Sequence, residues 1–232
     1  MCHFMRGMGS RSLFALFVLV VPALAQSKTP VAIELVLALD SSASVDGREF
    51  QLQNEGIALA FRDSDVLKAV DNLKPFGAAI AVVQWGGPGE TQVILPFIHV
   101  ESARDAKAFG FRVSLTRRWM RASVTSIATG ITDSAAFLAQ NDFDGQRKVI
   151  DVSGDGPDNS GIDLDMARRN ASAAGITVNG LSIEAESLDL NDYYRNQVII
   201  GADSFVEPAQ GFEDFARAIK EKLLRELRPL GS

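Results

Sequence analysis

Residues 31–47 read VAIELVLALDSSASVDG. Nine residues, Val31 to Leu39, form an almost unbroken apolar run, and Glu34 alone interrupts it. Such a run predicts a strand covered on both faces, as in a parallel sheet between two helical layers. It ends in Asp40, and serines follow at 42 and 44. A carboxylate and alternating hydroxyls at a strand end fit either a cation site or a polar turn before a helix. Asp46 can serve as the N-cap of that helix.

Working outward, helical spacing recurs from Arg48, with Phe50, Ile57 and Phe61 on one side. A weaker helix is predicted over 65–73. AAIAVVQW (78–85) and TQVILPFIHV (91–100) read as strands joined by GGPGE, a hairpin turn. Helices are predicted in ESARDAKAFGFRV, in SIATGITDSAAFLAQ from Ser126, in DLDMARRNASAAG and in FEDFARAIKEKLLREL, with a short one in LNDYYRNQVI. KVIDVS (148–153), ITVNGLSI and DSFVEP supply further strands. Alternating strands and helices predict an α/β fold: a doubly wound, mostly parallel sheet whose 91–100 strand is an antiparallel edge. Ligands in such sheets bind beyond the carboxyl ends of the strands, which puts Asp40 and Asp155 near each other.

The first 25 residues are set apart from this pattern. MCHFMRGMGSR is basic, SLFALFVLVVPALA is apolar, and Ala23-Leu24-Ala25 has the small-x-small form of a signal-peptidase site. The apolar run falls short of the roughly 20 residues that span a bilayer. The expected organisation is a cleaved signal peptide over 1–25 and one domain over 26–232, exported to the periplasm or the medium. Removing Arg6 and Arg11 takes Lys plus Arg from 23 to 21 against 29 acids, and the net charge from −6 to −8. An acidic chain argues against nucleic-acid partners. Cys2 is the single cysteine and His99 the single histidine after residue 25. Zinc chemistry and a Ser-His-Asp hydrolase are therefore not expected.

Asp40, Ser42 and Ser44 form D-x-S-x-S; Thr125 lies just before the SIATGI helix; Asp155 follows a strand in VIDVSGDG. Their oxygens suit a hard divalent cation such as Mg²⁺ or Mn²⁺. The set resembles the metal-ion-dependent adhesion site of von Willebrand factor A (VWA) domains, a VWA/Rossmann-like fold. DSSASVDGREFQLQNEGIALAFRD, VIDVSGDGPDNSG, AAGITVNGLSI and DYYRNQVIIG further resemble an exported bacterial VWA-like family of unknown function. The resemblance covers nearly all of the chain after residue 25. It implies that Ser42 and Ser44 bind the metal directly, Thr125 directly or through water, and Asp40 and Asp155 mostly through water. It also implies a partner, protein or other acidic ligand, whose carboxylate meets the charge deficit of that shell. Ala43, and Ser123-Val124 before Thr125, stand where the family often has glycine.

Two rivals stand beside this metal-binding reading. One is a haloacid-dehalogenase-type phosphatase using Asp40, suggested by GDGPDN; it lacks the second acid two residues on, where Ser42 stands. The other is a scaffold with a purely structural metal. No catalytic residue is therefore assigned, and the chain is read as a non-enzyme. Arg117, Arg118 and Arg121 make a basic knot beside Trp119, upstream of Thr125. They are candidate partner-binding residues, or else a solvated loop. Asp151 is expected to order the site loop from inside the sheet. Trp85, Tyr193 and Tyr194 are expected to pack, and Glu184, Glu186, Asp189 and Asp192 to face solvent.

Overall fold

The structure is a computed structural model that describes Met1 and residues 27–119, 124–184 and 189–229. Strand β1 (Thr29–Asp40) lies at the centre of the sheet. It runs parallel to β2 (Ala78–Trp85) on one side and to β4 (Phe143–Gly154) on the other. β5 (Ile176–Ile183) and β6 (Val206–Ala209) continue in parallel beyond β4. β3 (Thr91–Val100) closes the opposite edge in antiparallel pairing with β2. The order is β3-β2-β1-β4-β5-β6, so the winding reverses between β1 and β4. The α/β, doubly wound architecture with an antiparallel edge is thus the one the sequence predicts.

Alternation along β1 feeds two cores. Ile33, Leu35, Leu37 and Leu39 face α1 (Gly47–Ala60), α2 (Ser64–Asp71), α3 (Ala103–Ser114) and α7 (Phe215–Glu226), meeting Ile57, Val66, Phe109 and Ile219. Val36 and Ala38 face α4 (Ile127–Ala139), α5 (Leu164–Ala173) and α6 (Leu190–Tyr193), against Ile127, Ile131 and Leu190. A strand buried this way cannot slip by one residue without exchanging the two sets.

Two boundaries differ from expectation for a physical reason. β4 begins at Phe143 rather than 148, because the polar FDGQR segment pairs with Thr29–Val31 of β1 instead of looping. The short helix in LNDYYRNQVI is an α-turn followed by a π-helical turn over Tyr194–Val198.

Asp151 does not order the site loop. Its carboxylate lies inside the sheet, fully buried, 3.1 Å from the Nζ of Lys222 on α7. Lys222 also reaches Glu226, at 3.8 Å, and all three side chains are almost wholly buried. Burial raises the Asp151 carboxyl above the ordinary range, and Lys222 pulls it back. Removing one member of such a group leaves a buried charge without compensation, which costs about 3–5 kcal/mol. Lys222→Met is therefore expected to lower the free energy of unfolding by about that much in urea denaturation, and Asp151→Leu added to it is expected to recover a large part. A double variant no more stable than the single would show that this pair does not act as a unit.

Candidate functional site

The site grows from the turn that ends β1. Asp40 Oδ1 accepts a 2.8 Å hydrogen bond from the Ser42 amide, folding the chain back over its own carboxylate. The Ser41 amide donates to the Trp85 carbonyl at 2.9 Å, and Gln53 Nε2 donates to the Asp40 carbonyl at 3.2 Å. Six residues after Asp40, Asp46 caps α1: its Oδ1 accepts from the amides of Arg48 and Glu49, and Glu49 Oε2 accepts from the Asp46 amide. With both ends pinned, the serines between them have little freedom.

Three separate segments meet there. Ser42 Oγ lies 3.3 Å from Ser44 Oγ and 3.2 Å from Thr125 Oγ1. Ser44 Oγ donates to Asp155 Oδ1 at 2.9 Å. The five residues singled out in the sequence, Asp40, Ser42, Ser44, Thr125 and Asp155, thus form one connected cluster at the point where the winding reverses. Asp40, Ser42 and Thr125 are buried, Asp155 is half-buried and Ser44 is exposed, so the cluster opens to solvent on one side.

Thr125 is positioned by the loop after β4. Its amide donates to Asn159 Oδ1 at 2.8 Å and its carbonyl accepts from the Asn159 amide at 3.0 Å. Asp158 Oδ2 accepts from the Ala128 amide in the first turn of α4. Asp158, an acid in the segment that suggested a phosphatase, is thus engaged at a helix end.

The arginines separate into different roles. Arg118 is not a free rim cation: its Nη2 donates to the carbonyls of Ser41, at 3.0 Å, and Ser42, at 2.6 Å, and so clamps the site loop. Arg117 has an exposed side chain, while its carbonyl accepts from Gln84 Nε2 at 2.9 Å. Arg121 and Glu186 lie outside the described residues. Gln84 is a positioning residue the sequence did not flag; its Oε1 also accepts from the Trp119 amide, so one buried side chain secures this segment twice.

Asp40 carries the main electrostatic tension. Burial, and then the negative charge of Asp155, push its carboxyl from 3.8 to about 7, against the hydrogen bonds from Ser42 and the charge of Arg118. Its Oδ2 is buried with no hydrogen-bond partner, and so is the hydroxyl of Tyr194. Both converge on Gly154, where a Cβ would lie 2.6 Å from Tyr194 Oη and 3.1 Å from Asp40 Oδ2. Burial, with Asp40 and Asp155 nearby, raises the Tyr194 hydroxyl well above its ordinary value. The expectation that Tyr194 packs is met, yet its polar end also faces the site.

The donor set suits a hard cation. Among the described residues no group of three His, Cys, Asp or Glu side chains is placed to hold a metal. The candidate ligands are instead hydroxyls beside two carboxylates. Neighbouring oxygens of an octahedral shell with bonds of about 2.1 Å lie about 3.0 Å apart. The spacings of 3.2 and 3.3 Å between the Ser42 hydroxyl and its two neighbours are close to that. The unpartnered Asp40 Oδ2 is a buried oxygen that accepts no hydrogen bond.

The family described as "Protein of unknown function (DUF1194)" matches residues 30–230. No curated protein matches the chain. Among solved structures the chain is similar to proximal thread matrix protein 1 from the mussel byssus with a zinc-occupied MIDAS motif, at 17% identity and a TM-score of 0.61, covering 86% of this chain and 48% of that one. It is similar to a von Willebrand factor type A from Catenulispora acidiphila at 19% identity and 0.58, covering 85% and 43%. It is also similar to the conserved hypothetical protein BatB from Bacteroides thetaiotaomicron at 15% and 0.56, covering 84% and 98%. The likeness shows a VWA-like fold. This chain spans about half the length of the mussel protein.

The raised Asp40 carboxyl has a definite sign in stability. Its folded value of about 7 exceeds the ordinary 3.8, so the folded state binds the extra proton between those limits. Asp40 then favours folding below about pH 4, and that contribution is lost as pH rises through 7. Three pH units correspond to at most about 4 kcal/mol. In chelator, Asp40→Asn is expected to be more stable than the parent at pH 8, with the gap closing toward pH 4. Denaturant midpoints measured across that range check it; a gap independent of pH would mean that the Asp40 carboxyl is not raised.

Proposed function

Because the chain belongs to the DUF1194 family, we propose that it is a binding protein that holds a divalent cation and attaches through it to a protein or other acidic ligand. The observation that supports this is the meeting of Ser42, Ser44 and Thr125 hydroxyls with the Asp40 and Asp155 carboxylates at the open end of the sheet. Ser42, Ser44 and Thr125 would offer the cation neutral oxygens, and Asp40 and Asp155 would offer carboxylates. Mg²⁺ or Mn²⁺ suits such oxygens. A bound cation would supply a Lewis-acidic position that this shell leaves short of negative charge, and a partner's carboxylate would meet the shortfall.

The chain's residues do the positioning. Arg118 holds the carbonyls of the loop, Asn159 sets Thr125, and Gly154 leaves room beside Asp40. This is binding without turnover: a phosphatase would want a proton donor two residues after Asp40, and Ser42 stands there, bonded to Ser44 and Thr125. The zinc-occupied motif of the mussel protein lends support to a metal at this end of the fold, though not to a choice of metal. We place the protein outside the cytoplasm, in periplasm or medium, after loss of residues 1–25 as a signal peptide, with 26–232 as one domain. No helix among the described residues is long and apolar enough to cross a membrane.

A cation that binds only the folded state at a hundred times its Kd stabilises it by about 2.7 kcal/mol. The melting temperature is expected to rise by several degrees with Mg²⁺ or Mn²⁺, and not at all in Asp40→Ala or in Ser42→Ala combined with Ser44→Ala. Arg118→Ala should weaken the response by loosening the loop. An undiminished metal shift in the double serine variant would refute the site.

Partner capture from the protein's own cell envelope should need Mg²⁺, fail in chelator and weaken with salt, since exposed charges are screened within about 10 Å at 0.1 M. Arg117→Ala should slow association more than it speeds dissociation. Capture that is equal in chelator would reduce the metal to a structural part of a scaffold.

A further inference from the structure

At the other end of the sheet, about 25 Å along β4 from Asp155 by strand rise, a cavity of about 340 Å³ is lined by residues with no part in the site above. It lies between the middle of β4 (Arg147, Val149), the start of β5 (Thr177, Asn179), the turn before β6 (Asp203, Phe205) and the end of α7 (Arg225, Glu226, Arg228). We infer that this cavity is a second binding site, which takes a small molecule carrying a carboxylate or phosphate group on Arg225, Arg228 and Arg147.

The walls are already built. Asn179 Nδ2 donates to Glu226 Oε1 at 2.6 Å, and Asn179 Oδ1 accepts from the Phe205 amide at 2.9 Å. Arg147 Nη2 donates to the carbonyls of Glu226 and Arg228, at 2.7 and 2.9 Å, tying the end of α7 to β4. Phe205 lies under the Arg225 guanidinium, 3.5 Å from its ring centroid. A guanidinium stacked on a ring keeps its N–H edge for a planar oxyanion, which it can grip with two parallel bonds.

The edges of Arg225 and Arg228 are not spent within the protein, whereas Arg147 gives its Nη2 to the backbone. Arg217, Arg168 and Arg169 are paired with carboxylates. Among the described residues no hydrogen bond or ion pair engages the guanidinium of Arg225 or Arg228, and Arg147 Nε is buried without a partner. Three cations thus share one cavity in an acidic chain. Two acids share it too. Asp203 is exposed at the rim. Glu226 is buried; burial raises its carboxyl above the ordinary range, Lys222 pulls it back, and Asp151 adds to the rise. The positive charge is in excess. The volume falls at the small end of ligand pockets, about 300–1,000 Å³, which suits a compact anion.

The test is isothermal titration of the purified protein, stripped of metal with chelator and then dialysed into metal-free buffer without it, with inorganic phosphate and separately with malonate. Saturable binding of one per chain is expected with at least one of them: phosphate alone would point to a phosphorylated ligand, malonate alone to a carboxylate, and both to a site that reads the oxyanion. Arg225→Ala with Arg228→Ala should weaken it at least tenfold. Neither side chain holds a backbone group, so the variant should keep its melting temperature within a few degrees. Arg48→Ala, a surface control at the opposite end, should bind like the parent. Absence of saturable binding by both anions, or equal binding by the double arginine variant, would overturn the inference. Because metal is absent throughout, failure here leaves the cation reading intact, and the reverse holds as well.

Discussion

The hydrogen bond from the Ser42 amide to Asp40 Oδ1 turns the chain at the end of β1, and the geometry of the open end follows from that turn. It presents the Ser42 hydroxyl to Thr125, sends Ser44 toward Asp155 and leaves Asp46 where α1 needs a cap. A hydrogen bond to a charged group contributes about 1.5–3 kcal/mol. That does not offset the cost of holding a carboxylate where water is excluded, as the raised Asp40 shows. The fold tolerates the deficit because β2 and β4 cover β1 on both sides and fix Asp40 opposite Trp85. A local instability is thus carried by a rigid frame.

The same frame separates two kinds of polar chemistry. At the carboxyl end, oxygens gather, and both Asp40 Oδ2 and the Tyr194 hydroxyl are without a hydrogen-bond partner. In the interior, Asp151, Lys222 and Glu226 are drawn together between β4 and α7. Close approaches keep the walls in place: a Cβ on Gly130 would lie 2.8 Å from the Trp85 ring, so α4 sits directly on the indole.

The legible parts of the sequence were those where burial or spacing leaves one solution. An apolar run of nine residues broken only by Glu34 fits a covered strand, and D-x-S-x-S after it falls at the carboxyl end of that strand. Thr125 and Asp155 were legible because each sits beside an element boundary. Arg118 was misread because a run of basic residues says nothing of where each guanidinium ends; here it finds carbonyls rather than solvent. The Lys222 and Glu226 spacing resembles an ordinary exposed helix pair, and only the turn of α7 onto β4 buries it. Tyr194 reaches Gly154 through a π-helical turn, for which no sequence rule exists. Asp158 was visible as an acid, but its bond to the Ala128 amide depends on a loop crossing from β4 to α4.

The two tryptophans stand in opposite surroundings. Trp85 is sealed in the wall behind Asp40, its indole N–H without a partner, whereas Trp119 is 55% exposed one residue after the clamp formed by Arg118. The protein therefore carries two optical gauges that need no label. Blue-shifted emission from Trp85 tracks the integrity of the sheet end, and a water-borne collisional quencher reaches Trp119 first. Changes in the loop and changes in the core can be followed in one cuvette and told apart by colour.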